Sequence, residues 1–171
     1  MIIGHGDIAS VLKDREDRLF FASGVSNSLE TRESEYQREI NLLLNQDRSA
    51  HLVYFGSLCA FYSNSRYAGH KRLMEELVKS NFMRYTIVRL GNITWGKNPH
   101  TLINYLRGRA EKGKSLEIRD TYRYVVDKDE FLHWLDFMPD WNCEMNITGQ
   151  KLTVQEIVDK YVYIGLRPKE A

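Results

Sequence analysis

Short apolar runs alternate along this chain with stretches whose apolar residues recur at helical spacing. Residues 1–3 form a brief apolar run that leads directly into glycine, and residues 18–23 (Arg-Leu-Phe-Phe-Ala-Ser) read as a buried strand closed by Gly24. A helix follows near Ser34, with Tyr36, Ile40, Leu43 and Leu44 on its apolar face and with Ser34 and Gln37 spaced for a capping box. Residues 51–55 form a second long apolar run, followed by a loop over 57–65. The spacing of Tyr67, His70, Met74, Leu77 and Val78 predicts a helix over 66–80, and residues 85–90 predict a strand broken by Gly91. Beyond Pro99 the pattern gives a helix with Leu102, Tyr105 and Leu106 inward, then a strand over 122–126. A helix carrying Phe131, Trp134 and Leu135 comes next, then a short strand at 146–148. A last helix is opened by the capping box Thr153-x-x-Glu156. Strands that alternate with helices predict crossover units, hence an α/β fold with a mostly parallel sheet.

Composition narrows the functional classes. At 171 residues the chain is about one domain long. Its 24 basic and 23 acidic residues leave a net charge of +1, so no strong field favours nucleic acid or a membrane surface. The longest apolar run, near 52–62, is too short and too interrupted to span a bilayer. The first residues lack the basic-then-apolar order of a signal peptide, and Cys59 and Cys143 lie far apart without metal-type spacing. A reduced, cytoplasmic protein without a metal is the expectation. No phosphate-binding Walker pattern, zinc pattern or Gly-x-Ser-x-Gly elbow is present.

Three groups of residues carry candidate chemistry. Gly4-His5-Gly6-Asp7-Ile8-Ala9 has the G-x-G-x-x-A spacing of a turn whose small residues let a backbone approach a pyrophosphate, with a following helix presenting free N–H groups. The acid that such a site wants about 20 residues further on is missing, because that distance falls on Ala22-Ser23-Gly24-Val25-Ser26. Tyr67 and Lys71 are one helical turn apart, so an ammonium can face a phenol and favour its ionised form, which suits acid–base work. The same spacing recurs at Tyr124 and Lys128, but there it falls in a strand pattern, which sets the pair roughly 13 Å apart. Ser57 ends the 51–55 run, at the edge where α/β sheets bind ligands, and its hydroxyl is placed to hold a substrate oxygen. A core-facing tyrosine with a solvent-reaching lysine, and a serine that merely ends a strand, are the plainer readings of the same residues.

Taken in order, these segments resemble an extended short-chain dehydrogenase/reductase, the family of NAD-dependent nucleotide-sugar epimerases and dehydratases. Gly4–Ala9 resembles its glycine-rich turn, 20–26 the strand ending in a small-residue turn beside the cofactor, and 53–57 the strand carrying its Ser or Thr. Tyr67–Lys71 is similar to the family's Tyr-x-x-x-Lys pair, and 88–96 to its Arg-Pro-x-Asn-x-Tyr-Gly stretch, with Leu90 in place of the proline. Residues 123–127 and 146–149 resemble its substrate-side signatures. The resemblance implies a truncated Rossmann-like domain with its sheet core in 1–96 and 122–126. It implies a small substrate-side region in 97–121 and 127–171.

It further implies NAD or NADP held by Gly4, Gly6, Ala9, Ala22, Ser23, Gly24, Lys71, Leu90 and Asn92. A nucleotide-sugar would meet Asn92 and Arg123, and the catalytic set would be Tyr67, Lys71 and Ser57. In that scheme Lys71 lowers the Tyr67 pKa, and two copies pair through the helices after the second and third strands. Counting back from Tyr62 brings Leu58 instead of Ser57 to the serine's place. Between Ala9 and Arg18 there is no room for the strands that usually bind the adenosine half. The alternative is therefore a non-catalytic sugar-nucleotide-binding or scaffold protein that has lost its cofactor.

Overall fold

The computed structural model describes residues 1–163. In chain order the strands are β1 (Ile2–Ile3), β2 (Leu19–Phe21), β3 (His51–Ser57), β4 (Arg84–Leu90), β5 (Asn92–Ile93), β6 (Tyr122–Val126), β7 (Cys143–Ile147) and β8 (Gln150–Thr153). The helices are α1 (Glu33–Leu44), α2 (Cys59–Tyr62), α3 (Arg66–Asn81), α4 (Leu102–Glu111), α5 (Lys128–Asp136) and α6 (Val154–Ile157), the last running on into a π-helical turn at 158–162. No helix among the described residues is long and apolar enough to cross a membrane.

The larger sheet has the order β1-β2-β3-β4-β7, every pair parallel. Both of its faces are covered, so its central strands are mostly apolar and successive side chains enter opposite layers. Phe20, Val53, Phe55, Val88 and Leu90 pack with Phe131 and Leu135 of α5 on one side. Leu19, Phe21, Leu52, Tyr54 and Ile87 pack with Leu43 of α1 and Met74 and Val78 of α3 on the other. Residues 122–126, expected in the sheet core, lie instead in a smaller sheet ordered β5-β6-β8. The strand that completes the larger sheet is β7, whose Met145 and Ile147 pack on the α5 side. A third apolar cluster, including Val125, Ile103, Leu106 and Ile157, joins the smaller sheet to α4 and α6.

Local side-chain caps set three of the six helix starts among the described residues. Ser65 caps α3 by accepting from the Ala68 N–H, Asp127 caps α5 by accepting from Glu130, and Thr153 and Glu156 form the expected capping box. The box expected at Ser34 does not form, because α1 starts two residues earlier, with Arg32 in the N-cap position. Glu33 and Glu35 then place negative charge in its first turn, where the helix dipole favours it.

At the amino ends of the parallel strands a polar group is buried. The Arg18 guanidinium donates to Nδ1 of His51, to the Pro139 carbonyl (3.1 Å) and to Asp140 (2.5 Å). Arginine is always a donor, so Nδ1 is an acceptor and the neutral ring donates from Nε2 to the Thr86 hydroxyl at 2.9 Å. Burial, followed by the Arg18 and Arg84 charges, lowers the His51 pKa from 6.5 to about 4. Between those values the unfolded chain binds a proton that the folded chain excludes. Stability should therefore fall as pH drops from 6.5 to about 4 and level off below. The His51 share of this loss is on the order of 2 kcal/mol, once screening of the exposed Arg84 charge is allowed for. Urea unfolding across that range, with His51→Gln beside the parent, checks it, and equal slopes for the two proteins would exclude the assignment.

Candidate functional site

The carboxyl ends of β1, β2, β3 and β4 share one edge of the larger sheet, where their outgoing connections part to leave a cleft of about 1380 Å³. Gly6, Ala22, Ser23, Gly24, Ser57, Tyr67, Lys71, Leu90, Asn92 and Arg123 all line it. Chain segments far apart in sequence thus meet at one opening. Gly4 and Ala9 do not line it.

The first turn departs from its expected form. Ala9 belongs to a three-residue 3-10 turn, Ala9–Val11, and no longer helix follows, so there is no helix end to receive a phosphate. Gly4, at φ 121°, serves packing: a Cβ there would lie 2.3 Å from the Ala22 carbonyl oxygen. The Asp7 carboxylate accepts from the backbone N–H groups of Lys97 (2.9 Å) and Asn98 (3.0 Å), and the Asp7 carbonyl accepts from the Trp95 indole. Gly96 permits this contact, since at φ 92° its Cβ would fall 2.0 Å from Asp7 Cγ. Asn98 continues the strap by donating to the Ser26 hydroxyl.

Ser57 accepts from the Cys59 N–H at 3.3 Å, helping to start α2, and Leu58, the other choice of register, is buried. Asn92 donates to the Tyr124 carbonyl and Arg123 to the Tyr122 carbonyl, which fixes both on the wall formed by the smaller sheet. The Cys59 thiol and the Tyr62 phenol are both pushed up by burial. Among the described residues no group of three His, Cys, Asp or Glu side chains could hold a metal ion.

Tyr67 and Lys71 do share a face of α3, with the ammonium 5.6 Å from the centre of the phenol ring. Their expected division of labour is not what the geometry supports. Lys71 is 2% exposed, and its ammonium donates to Glu39 Oε1 at 3.0 Å and to the Tyr54 hydroxyl at 3.3 Å. No hydrogen bond joins it to the Tyr67 hydroxyl among the described residues. Burial pushes the Tyr67 phenol up, and the pull of Lys71 in the other direction is outweighed. Tyr67 is therefore a protonated phenol at neutral pH, able to donate a proton and poorly suited to remove one.

Sequence reasoning missed Glu39. It is fully buried, and its carboxylate accepts from the Val25 N–H (2.7 Å), the Tyr54 hydroxyl (3.0 Å), Lys71 and His70 Nε2 (3.0 Å). Burial alone would raise its pKa; Lys71, His70 and the Val25 N–H together outweigh that and hold it at about 2. The signal was spacing. Glu39 stands three residues after Tyr36 and four before Leu43, and these three are the buried residues of α1, whereas Ile40 and Leu44 are only partly covered. Gly24 completes the group: a Cβ there would lie 2.7 Å from the Lys71 ammonium and 3.0 Å from Glu39. Gly24→Ala should cost about 1–3 kcal/mol, because the added methyl overpacks a pinned ion pair. An unshifted urea midpoint would show that the pair yields freely.

Neither a protein-family model nor a curated protein sequence matches the chain. Solved structures do. WbmH of Bordetella bronchiseptica, in complex with NAD+, is similar at 15% identity and TM-score 0.67, over 91% of this chain and 60% of that one. A UDP-glucuronic acid 4-epimerase from Bacillus cereus, with NAD and a fluorinated UDP-glucuronic acid, is similar at 12% identity and TM-score 0.66, over 88% of this chain and 60% of that one. The UDP-glucose 4-epimerase of Thermus thermophilus with NAD is similar at 19% identity and TM-score 0.63, over 84% and 60%. The chain spans about 60% of the length of these structures. At such identities the likeness establishes the fold alone, a shortened Rossmann-like α/β domain.

Proposed function

We propose that the chain works on a nucleotide-linked sugar or a related hydroxyl substrate by the nicotinamide-dependent oxidoreductase, epimerase or dehydratase chemistry of its structural neighbours. The observation that carries this reading is the convergence of Ser57, Tyr67, Asn92 and Arg123 on one cleft at the carboxyl edge of a parallel sheet. Tyr67 supplies the proton, Ser57 orients the substrate hydroxyl, and Asn92 and Arg123 hold the nucleotide side. Pairing of two copies through α1 and α3 belongs to the same reading.

The cleft residues suit the nicotinamide half of NAD or NADP. Ala22–Gly24 offers a small-residue wall, and Leu90 and Asn92 line the same cleft. Bound there, the cofactor would accept and return hydride. The adenosine half has less to hold it: no acid follows the first turn at the required distance, and Asp7 is engaged by the 96–98 loop. Together with the capture of Lys71 by Glu39, this favours the second reading, a sugar-nucleotide-binding protein that works without a cofactor.

Titration with NADH and NADPH, followed by fluorescence, separates the two. Saturable binding that weakens at least tenfold in Lys71→Ala supports the enzyme; failure of both nucleotides to bind, with UDP-sugar binding retained, supports the second reading. On the enzyme reading, Tyr67→Phe should lower turnover by roughly 10²–10⁴. Its circular dichroism and unfolding midpoint should stay near those of the parent, since only a hydroxyl is lost. Undiminished turnover would remove Tyr67 from the reaction.

A further inference from the structure

Lys71 lines the cleft on which the proposed reaction converges, yet its charge is engaged by Glu39 and not by the Tyr67 hydroxyl. The ammonium lies beneath Gly24, in a pocket formed by α1, β3 and α3 and filled by the Glu39 carboxylate and the Tyr54 hydroxyl. Glu39 is not a passing partner. It is fully buried, all its hydrogen bonds come from groups fixed by secondary structure or by the turn after β2, and three of them would persist without the lysine. A buried carboxylate with that many donors is a stable anion, and a stable anion 3.0 Å from a buried ammonium holds it in place.

We propose that Glu39 is a positioning residue of the cleft, an internal counter-ion that keeps the Lys71 ammonium beneath Gly24 and withholds it from the Tyr67 hydroxyl. Resting on the functional reading above, it deepens that reading by specifying the state in which the tyrosine meets its substrate. With the lysine neutralised, Tyr67 faces the cleft as a proton and hydrogen-bond donor. A ligand that needs the ammonium, such as a vicinal diol, must first compete with a carboxylate for it. The other groups acting on Tyr67 are Tyr36 of α1, beside Glu39 itself, and Cys59 of α2. Each resists ionisation of the phenol, and only Lys71 favours it.

The test is a titration of the whole chain by NMR, with 13C in the tyrosine Cζ positions and 15N in the lysine side chains, Tyr67→Phe and Lys71→Met supplying the assignments. In the parent, the Lys71 ammonium protons should exchange slowly enough to be seen near neutral pH, and the Tyr67 midpoint should lie above 10. In Glu39→Gln the Tyr67 midpoint should fall by at least one pH unit, a tenfold rise in acidity, while in Lys71→Met it should rise. An unmoved Tyr67 midpoint in a folded Glu39→Gln protein overturns the proposal. Should that variant fail to fold, the parent decides alone: rapid exchange of the Lys71 ammonium, as for a surface lysine, overturns the proposal, and slow exchange upholds it. None of these readouts needs a cofactor or a sugar. Failure of nicotinamide binding would therefore defeat the functional reading and leave this one standing.

Discussion

The buried ion pair between Glu39 and Lys71 is the constraint around which the site is arranged. It joins α1 to α3, takes in the Tyr54 hydroxyl from the strand between them, and holds the turn after β2 through the Val25 N–H. Two charges taken out of water are tolerated only when each finds close, well-oriented partners, and removing one leaves the other unpaired at a cost of about 3–5 kcal/mol. Packing in this region follows from that requirement. Gly24 must lack a side chain because the pair occupies the space, and α1 is turned so that a glutamate is buried more deeply than Ile40.

The consequence for chemistry is a division between a phenol and a cation that spacing alone would have joined. Lys71 and Tyr67 are on the same face of one helix, but the carboxylate from α1 determines where the lysine's charge acts. A protonated Tyr67 at the mouth of the cleft is compatible with donation to a substrate oxygen. It is equally compatible with a site that recognises a hydroxyl without transforming it. Asn92 and Arg123 of the smaller sheet line the same cleft and are anchored by backbone carbonyls, whereas Lys71 is anchored by an ion pair.

The shortened sheet has a second effect. With β1 at one end of the larger sheet and only a 3-10 turn after it, the chain reinforces that margin by other means. Asp7 reaches across to the backbone of Lys97 and Asn98, and Asn98 reaches on to Ser26. A carboxylate accepting two backbone N–H groups stabilises a loop that would otherwise leave them in water. The same contacts occupy Asp7, in the turn that resembled a phosphate cradle.

Much of this could be read in the sequence, because it rests on local patterns. The alternation of apolar runs and helical faces predicted the parallel sheet, and Thr153 carried its capping box in plain view. The segments that form the cleft were legible too, since each lies where a strand pattern ends. What tertiary structure alone decided were the long-range pairings. The Glu39–Lys71 bond spans 32 positions and the Asp7–Asn98 bond 91, and no spacing rule covers such distances. The exchange of β6 for β7 in the larger sheet has the same origin, for both strands have apolar positions and only the packing of α5 and α4 determines which joins. Sequence determined which residues could ionise and which segments could become strands. Burial and partners, known only in the folded chain, determined which charge is free to act.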